Sequence, residues 1–352
     1  MIRSGGEASQ NNLWLEPVDA SVANLLAVLR RCQGQPDVYR EQAPQVLETL
    51  AWRARIASMG TACRLAGIGL PAQRLEALAR QAAPETDSER AVAGYRDVLA
   101  RIHAGEVGLP LTPGTIRALH AGLYAYLPGE GGAWQWRDTV GQERLAGRRE
   151  TVRPASVQAD EVPGAMAESC DRLATAWEHQ AVERLLVVNG FVLDFLCIQP
   201  FPAGNERLAR LVTLLLLRAA GHPVGQYVSL AGIVEQTRQG YEEALQRSSA
   251  GWATGQHDLT AWHQYRLGVL VYAYRAFEKQ ANALDTDPGA GGREVWLAIE
   301  KFRPGQRFAI SDLEQMCPDA DRATIRRALG ELREQGRVTC LGTGRAAEWQ
   351  RT

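Results

Sequence analysis

One stretch of the sequence gathers residues able to hold an anion: Gln199-Pro200-Phe201-Pro202-Ala203-Gly204-Asn205-Glu206-Arg207-Leu208-Ala209-Arg210. It follows one apolar run, Leu185 to Ile198, and leads into another, Leu211 to Leu217. A proline-bearing loop between two apolar helices, with a new helix opening at Gly204-Asn205, turns backbone N–H groups and the positive helix end toward whatever lies above the loop. Arg207 and Arg210 are three residues apart, hence on one face of the first turns, and would add charge for a polyphosphate. The same residues also fit a plainer reading, a buried Pro-Phe turn whose arginines are solvated or paired with nearby carboxylates.

Such a loop needs a helical frame. From Asp19 to Arg101 apolar residues recur at helical spacing, as in Val22, Leu25, Leu26 and Leu29, then Val46, Leu47 and Leu50, then Leu75, Leu78 and Ala79. Pro36, Pro44, Pro71 and Pro84 fall between or at the starts of these runs, where proline meets no preceding helical carbonyl. Thr112-Pro113 opens a further helix through Tyr126. Between Trp136 and Pro163 the helical period lapses, Gly141 and Gly147 punctuate, and Val140 and Val152 flank a polar tip, which predicts a short β-hairpin flap. Helical patterning then runs from Pro163 to about Lys279, broken only at the loop. The small, polar, Gly-rich segment 280–292 reads as a linker. The expected division is an N-terminal helical region (1–105), a core (106–279), the linker, and a separate C-terminal domain (293–352).

At 352 residues the chain can bury a self-sufficient core in two or three domains. A formal net charge of -1 argues against a protein whose whole surface seeks nucleic acid or anionic lipid. The six cysteines are scattered without a CxxC pair, which disfavours a zinc ribbon or disulfide scaffold and fits a reducing cytoplasm. No run approaches the roughly 18 apolar residues of a membrane span, and Met1 to Glu7 has no apolar signal core, so the expectation is a soluble, cytoplasmic protein with no membrane partner. The histidines, His103, His120, His179, His222, His257 and His263, show no metal-ligand spacing and read as surface or packing residues.

In residue order the loop resembles that of the Fic (Fido-domain) family, His-Pro-Phe-Asp/Glu-x-Gly-Asn-Gly-Arg-x-x-Arg, with Pro200, Phe201, Gly204, Asn205, Arg207 and Arg210 matching by position. Thr112 to Tyr126 looks like the family's opening helix. Trp136-Arg137, Val140 and Val152-Arg153-Pro154 look like its Arg-bearing segment and target-docking flap, Val162-Pro163 like the start of the next helix, and Ile233 to Leu245 with Tyr241 like its closing helix. The similarity covers about residues 110 to 250. It implies a mainly α, Fic-like core, transfer of AMP from ATP to hydroxyl side chains, nucleotide contacts from Gly204, Asn205, Glu206, Arg207 and Arg210, and a protein partner at the flap.

The departures change three functions of one loop. Gln199 stands at the family's general-base histidine, and an amide has no usable pKa near neutrality. Pro202 stands where the family's acidic residue holds Mg²⁺ on the phosphates, and it has no ligand atom, so no metal site is expected. Glu206 replaces the second glycine of Gly-Asn-Gly and is expected to face the anion it should cradle. Relatives with an N-terminal inhibitory helix carry Ser-x-x-x-Glu-Gly; the segment from Ala62 to Gly67 resembles it, with Ala62 and Ala66 at the Ser and Glu positions. Base and brake are thus absent together. ATP and Mg²⁺ are what the resemblance implies and what these residues oppose.

The C-terminal domain reads as helix (Glu294 to Phe302), a strand end and N-cap at Ile310-Ser311-Asp312-Leu313, a second helix to about Cys317, a third from Asp321, a Gly336 C-cap, and a hairpin around Gly342-Thr343-Gly344-Arg345. That order resembles a winged helix-turn-helix. In DNA-binding versions the third helix enters the major groove, which makes Arg322, Thr324, Arg326 and Arg327 candidate DNA contacts. Basic residues exceed acidic ones only slightly here, and the same fold also serves protein contacts. The leading expectation is a non-catalytic Fic-like regulator or scaffold that has lost the family's AMP-transfer reaction. The alternatives are an active nucleotidyl transferase with a displaced base and a DNA-binding transcriptional regulator whose core supplies only dimerisation, as a homodimer, or ligand sensing.

Overall fold

The computed structural model describes residues 18–127, 144–145, 148–149, 157–178, 183–286, 289–318, 320, 322–334, 336–342 and 348–352. It is mainly helical. In chain order come α1 (Ala20–Cys32), α2 (Gln35–Gln42), α3 (Pro44–Leu65), α4 (Ala72–Ala79), α5 (Asp87–Ala104) and α6 (Pro113–Leu123), then the hairpin β1 (Arg144–Leu145) and β2 (Arg148–Arg149). There follow α7 (Val162–Glu178), α8 (Arg184–Ile198), α9 (Asn205–Ala219), α10 (Leu230–Gln236), α11 (Arg238–Ser249) and α12 (Thr260–Thr286). The last elements are α13 (Gly289–Glu300), β3 (Arg307–Phe308), α14 (Ile310–Met316), α15 (Arg322–Glu334), β4 (Val338–Leu341) and β5 (Glu348–Arg351). Contacts divide the chain into two units, Met1–Phe277 and Glu278–Thr352.

Local chemistry sets the helix starts. Asp19 caps α1 by accepting the Val22 N–H at 2.8 Å, Thr86 caps α5 through Glu89, and Thr112 caps α6 through Thr115 at 3.1 Å with Pro113 at the first helical position. Every residue of α8 from Leu185 to Ile198 is buried, as a helix apolar all round must be, and α8 packs against α7 and α9. Each large aliphatic or aromatic side chain so buried contributes roughly 1.5–3 kcal/mol by leaving water. The two polar interruptions of α8 are partnered: the Asp194 carboxylate accepts from Arg172 at 2.9 Å and Trp252 Nε1 at 2.8 Å, and Asn189 Oδ1 accepts from Arg266 Nε at 3.0 Å. Helices α5 and α6 cross closely at small residues. A Cβ on Gly94 would fall 2.2 Å from the Leu123 carbonyl oxygen, and one on Gly122 would fall 2.7 Å from Val98 Cγ2.

Three expectations need correcting. The closing helix expected as one piece from Ile233 to Leu245 is two, α10 and α11, parted at Thr237, whose hydroxyl pairs with the Ile233 carbonyl and with the Tyr265 hydroxyl. The segment expected as a linker is helical at both ends: α12 continues through Thr286, carried by helix formers such as Ala281 and Leu284, and α13 already begins at Gly289. Only 287–288 lies between them, outside the described residues, and the unit boundary falls earlier than expected, after Phe277. In the C-terminal unit the strand ends at Phe308 and Ile310 is already helical. Asp312 acts from inside the first turn of α14 by accepting the Ala309 N–H at 2.8 Å.

That unit places α13, α14 and α15 around a core of Val295, Ile299, Phe308, Leu313, Ile325, Leu329, Val338 and Trp349. Its antiparallel sheet has the order β3-β5-β4, with Trp349 opposite both Phe308 and Cys340. Gly336, at φ 71, follows α15 as expected of a C-cap. Arg337 stacks over Trp296 at 3.7 Å.

Candidate functional site: the loop between α8 and α9

Helix α8 stops because Gln199 turns left-handed, at φ 46 and ψ 66, while its N–H still bonds the Phe195 carbonyl at 2.9 Å. A side-chained residue in that region is strained and persists only where its surroundings dictate it. Here they do so through Asn205. Its Oδ1 accepts the Phe201 N–H at 3.0 Å and its Nδ2 donates to the Phe201 carbonyl at 2.7 Å, closing the loop on itself in a buried position. Gly204 sits at φ 80 as the residue before α9; a Cβ there would lie 2.9 Å from the Tyr124 hydroxyl. Glycine is therefore required twice over, by conformation and by space.

The floor of the loop comes from α6. His120 stacks on Phe201 at 3.8 Å with the rings nearly parallel, and its Nε2 bonds the Ala203 carbonyl at 2.9 Å. A carbonyl only accepts, so that nitrogen carries the proton. Burial pushes the pKa of His120 down to about 4, with the Arg207 charge adding to the effect and the Ala203 bond opposing it, and the ring is neutral at pH 7. The packing role expected of His120 holds, and the support that His120 and Tyr124 give the loop goes beyond it. The available signal was their i, i+4 spacing, two polar-tipped rings on the face of α6 that also carries Ile116, Leu119 and Leu123.

The charged residues are arranged differently from either sequence reading. Arg207 is fully buried; its Nη2 donates to the Tyr124 hydroxyl at 3.0 Å and its guanidinium lies 5.3 Å from that ring's centre. Arg210 donates from Nη2 to Glu206 at 2.9 Å, an i, i+4 ion pair. Glu206 thus turns to its own helix's arginine instead of facing an empty anion cradle. The paired alternative fits Arg210, and the solvated alternative fits neither arginine. The end of α3 lies close by: the buried Cys63 thiol is pushed up to about 11 by burial, against the opposing pull of Arg207 and Arg210. Ala62 and Ala66, at the positions read as a vacant restraint, are buried beside it.

Pro202 is exposed and offers no oxygen or nitrogen to a cation. Among the described residues no group of three or more His, Cys, Asp or Glu could hold a metal ion. Of the flap, the β1–β2 pairing of Arg144 with Arg149 and Leu145 with Arg148 is present, while Trp136, Arg137, Val140, Val152, Arg153 and Pro154 lie outside the described residues. Among the described residues no helix is long and apolar enough to cross a membrane.

Residues 110–217 match the sequence model of the Fic/DOC family. The fold is similar to a crystal structure of a Fic family protein from Desulfovibrio desulfuricans, with a TM-score of 0.61 and 21% identity over 96% of this chain and 97% of the other. It is also similar to a Fic domain containing signaling protein from Bacteroides thetaiotaomicron, with a TM-score of 0.57 and 15% identity over 75% of this chain and 98% of that one. No match was found among curated proteins.

Proposed function

We infer that this chain, which carries a Fic/DOC-family segment at residues 110–217 within a Fic-like helical fold, has lost the AMP-transfer chemistry of that kinship and acts as a non-catalytic regulator or scaffold. The observation that carries this reading is the Glu206–Arg210 ion pair at 2.9 Å. The loop supplies its own carboxylate to the guanidinium that an incoming phosphate would need. Gln199 adds that no group at the base position takes a proton from a hydroxyl. Pro202 adds that nothing at its position ligates a divalent cation, which wants oxygen donors. ATP with Mg²⁺ does not fit the loop as it stands, and a protein partner at the flap is the contact this reading favours.

Incubating the full chain with labelled ATP and cell lysate tests the proposal. The expected result is no AMP on the chain or on any lysate protein. Labelling that disappears in a folded Arg210→Ala variant would overturn it in favour of a transferase with a displaced base.

The C-terminal unit supports a second, compatible reading. Its order α13-β3-α14-α15-β4-β5 and its sheet order β3-β5-β4 match a winged helix, and Arg322 and Arg326 are exposed near the start of α15. We propose that α15 meets duplex DNA through Arg322, Thr324 and Arg326, with the helical unit supporting a homodimer; the side chain of Arg327, the fourth expected contact, lies outside the described residues. Arg322 already pairs with Glu314 at 3.4 Å, so affinity per unit is modest. Gel shifts of the full chain on random duplex decide it. Retention at low salt is expected, and no retention would leave the unit as a protein-contact module.

A further inference from the structure

A cavity of about 60 Å³ lies among α3, α5, α8, α9, α10 and α12, and no residue from Gln199 to Glu206 lines it. Most of its wall is apolar, formed by side chains such as Leu214, Leu217, Leu230 and Leu270. Two arginines interrupt that wall, Arg210 and Arg266. Arg266 donates from Nε to Asn189 Oδ1 at 3.0 Å and from Nη2 to Thr213 Oγ1 at 3.2 Å. Asn189 and Thr213 line the cavity themselves, which puts the guanidinium at its surface. No ion pair joins Arg266 to a carboxylate among the described residues. Burial pulls its pKa down to about 10, so it remains a cation at pH 7. Arg210 uses Nη2 on Glu206 and holds Nη1 buried, with no hydrogen-bond partner among the described residues.

We propose that this cavity binds a small organic monoanion, a short-chain carboxylate whose oxygens meet Arg266 and Arg210 and whose carbon chain lies among Leu214, Leu217, Leu230 and Leu270. A planar carboxylate matches the fork of a guanidinium. A single charge suits a wall with one arginine free of carboxylates and one already facing Glu206. The apolar majority of the wall disfavours a bare inorganic ion, which would surrender hydration without replacement. At ~10–15 Å³ per water-sized group, the cavity admits about four to six such groups, the size of propionate or butyrate. The site shares Arg210 with the loop and rests on the ion-pair reading above only in that Nη2 stays on Glu206; its test reads carboxylate binding and not AMP transfer, so the two can fail separately.

Calorimetry and thermal shift on the full chain test it, with acetate, propionate, butyrate and hexanoate as probes and with 1-propanol, 1-butanol and inorganic phosphate as controls at matched ionic strength. A saturable response that peaks at propionate or butyrate and is missing with the alcohols and with phosphate is expected. Arg266→Gln, which keeps a hydrogen-bonding group for Asn189 and Thr213, should weaken binding at least tenfold. Ala231→Phe, which fills space and leaves both charges, should abolish it. Equal binding of the alcohols, equal binding of phosphate, or no saturable response to any acid would overturn the proposal. Should Arg266→Gln fail to fold, retained binding in Ala231→Phe would overturn it instead.

Discussion

Replacing Glu206 by glutamine removes one negative charge and almost no volume. The structure lets the consequence for anion binding be sized. A bare carboxylate about 4 Å from an incoming phosphate costs ~4 kcal/mol at an effective dielectric near 20. Glu206 is not bare. Its side chain is 34% exposed and is countered by Arg210, itself 16% exposed, at 2.9 Å. Partial exposure and pairing cut the effect to the scale of a screened ion pair, about 1 kcal/mol. That corresponds to roughly fivefold tighter binding of a polyphosphate by Glu206→Gln. Titration calorimetry of parent and variant with ATP and with inorganic tripolyphosphate, at low and at moderate salt, measures this directly. The gain should be larger at low salt, because the pair is partly open to counterions. If the folded variant binds no more tightly than the parent, or if neither binds any polyphosphate at low salt, Arg210 is not an anion-receiving group and the reasoning fails.

Gly204→Ala should destabilise the helical unit by about 1–3 kcal/mol, since alanine resists positive φ and its methyl meets the Tyr124 hydroxyl; an unchanged denaturant midpoint would refute this. His120, His222 and His263 are each pushed down to about 4 by burial. Their unfolded forms titrate near 6.5 and take up protons that the folded forms refuse, so stability holds above about pH 6.5 and falls as pH drops toward 4, by ~1 kcal/mol per histidine at pH 5.5. Glu89, held at about 2 by Arg74, adds to the loss only below its ordinary range near 4.5. Melting curves at pH 7.5 and 5.5 check the direction, and a protein more stable at pH 5.5 would contradict it. If α15 meets DNA, Arg326→Ala should weaken binding at every sequence and flatten the slope of log affinity against log salt by ~0.9 for one lost phosphate contact; a gel-shift salt series reads both.

Helical periodicity made most of the frame legible: the Asp19 and Thr112 caps, the all-buried α8 and the restart at Gly204-Asn205 lie where spacing and capping chemistry put them. The errors have local causes. Gly-rich 280–292 reads as linker by composition, yet alanine and leucine within it sustain helix. Thr237 carries no breaker signal, because what parts α10 from α11 there includes a hydroxyl bond to Tyr265, 28 residues away. At the loop, sequence identified the residues but not their directions. Whether Glu206 faces an incoming anion or Arg210 depends on a side-chain rotamer, and i, i+4 spacing permits both. For Arg207 the spacing offers a phosphate contact, a solvated charge or a carboxylate pair, because nothing local says that Tyr124, 83 residues earlier, lies beside it.

The glycines at the crossing of α5 and α6 set the mechanical tolerance of the loop. With the backbone of α6 riding directly on α5 at Gly94, no flexible side chain lies between them to absorb a displacement. Helix α6 carries the ring that stacks on Phe201. A single methyl added at position 94 has only that helix to push, because close-packed interiors pass strain on instead of damping it. The loop's alignment is therefore gauged on a different helix from the two it joins, and drift at position 94 would be felt at Phe201 before any residue of the loop had changed.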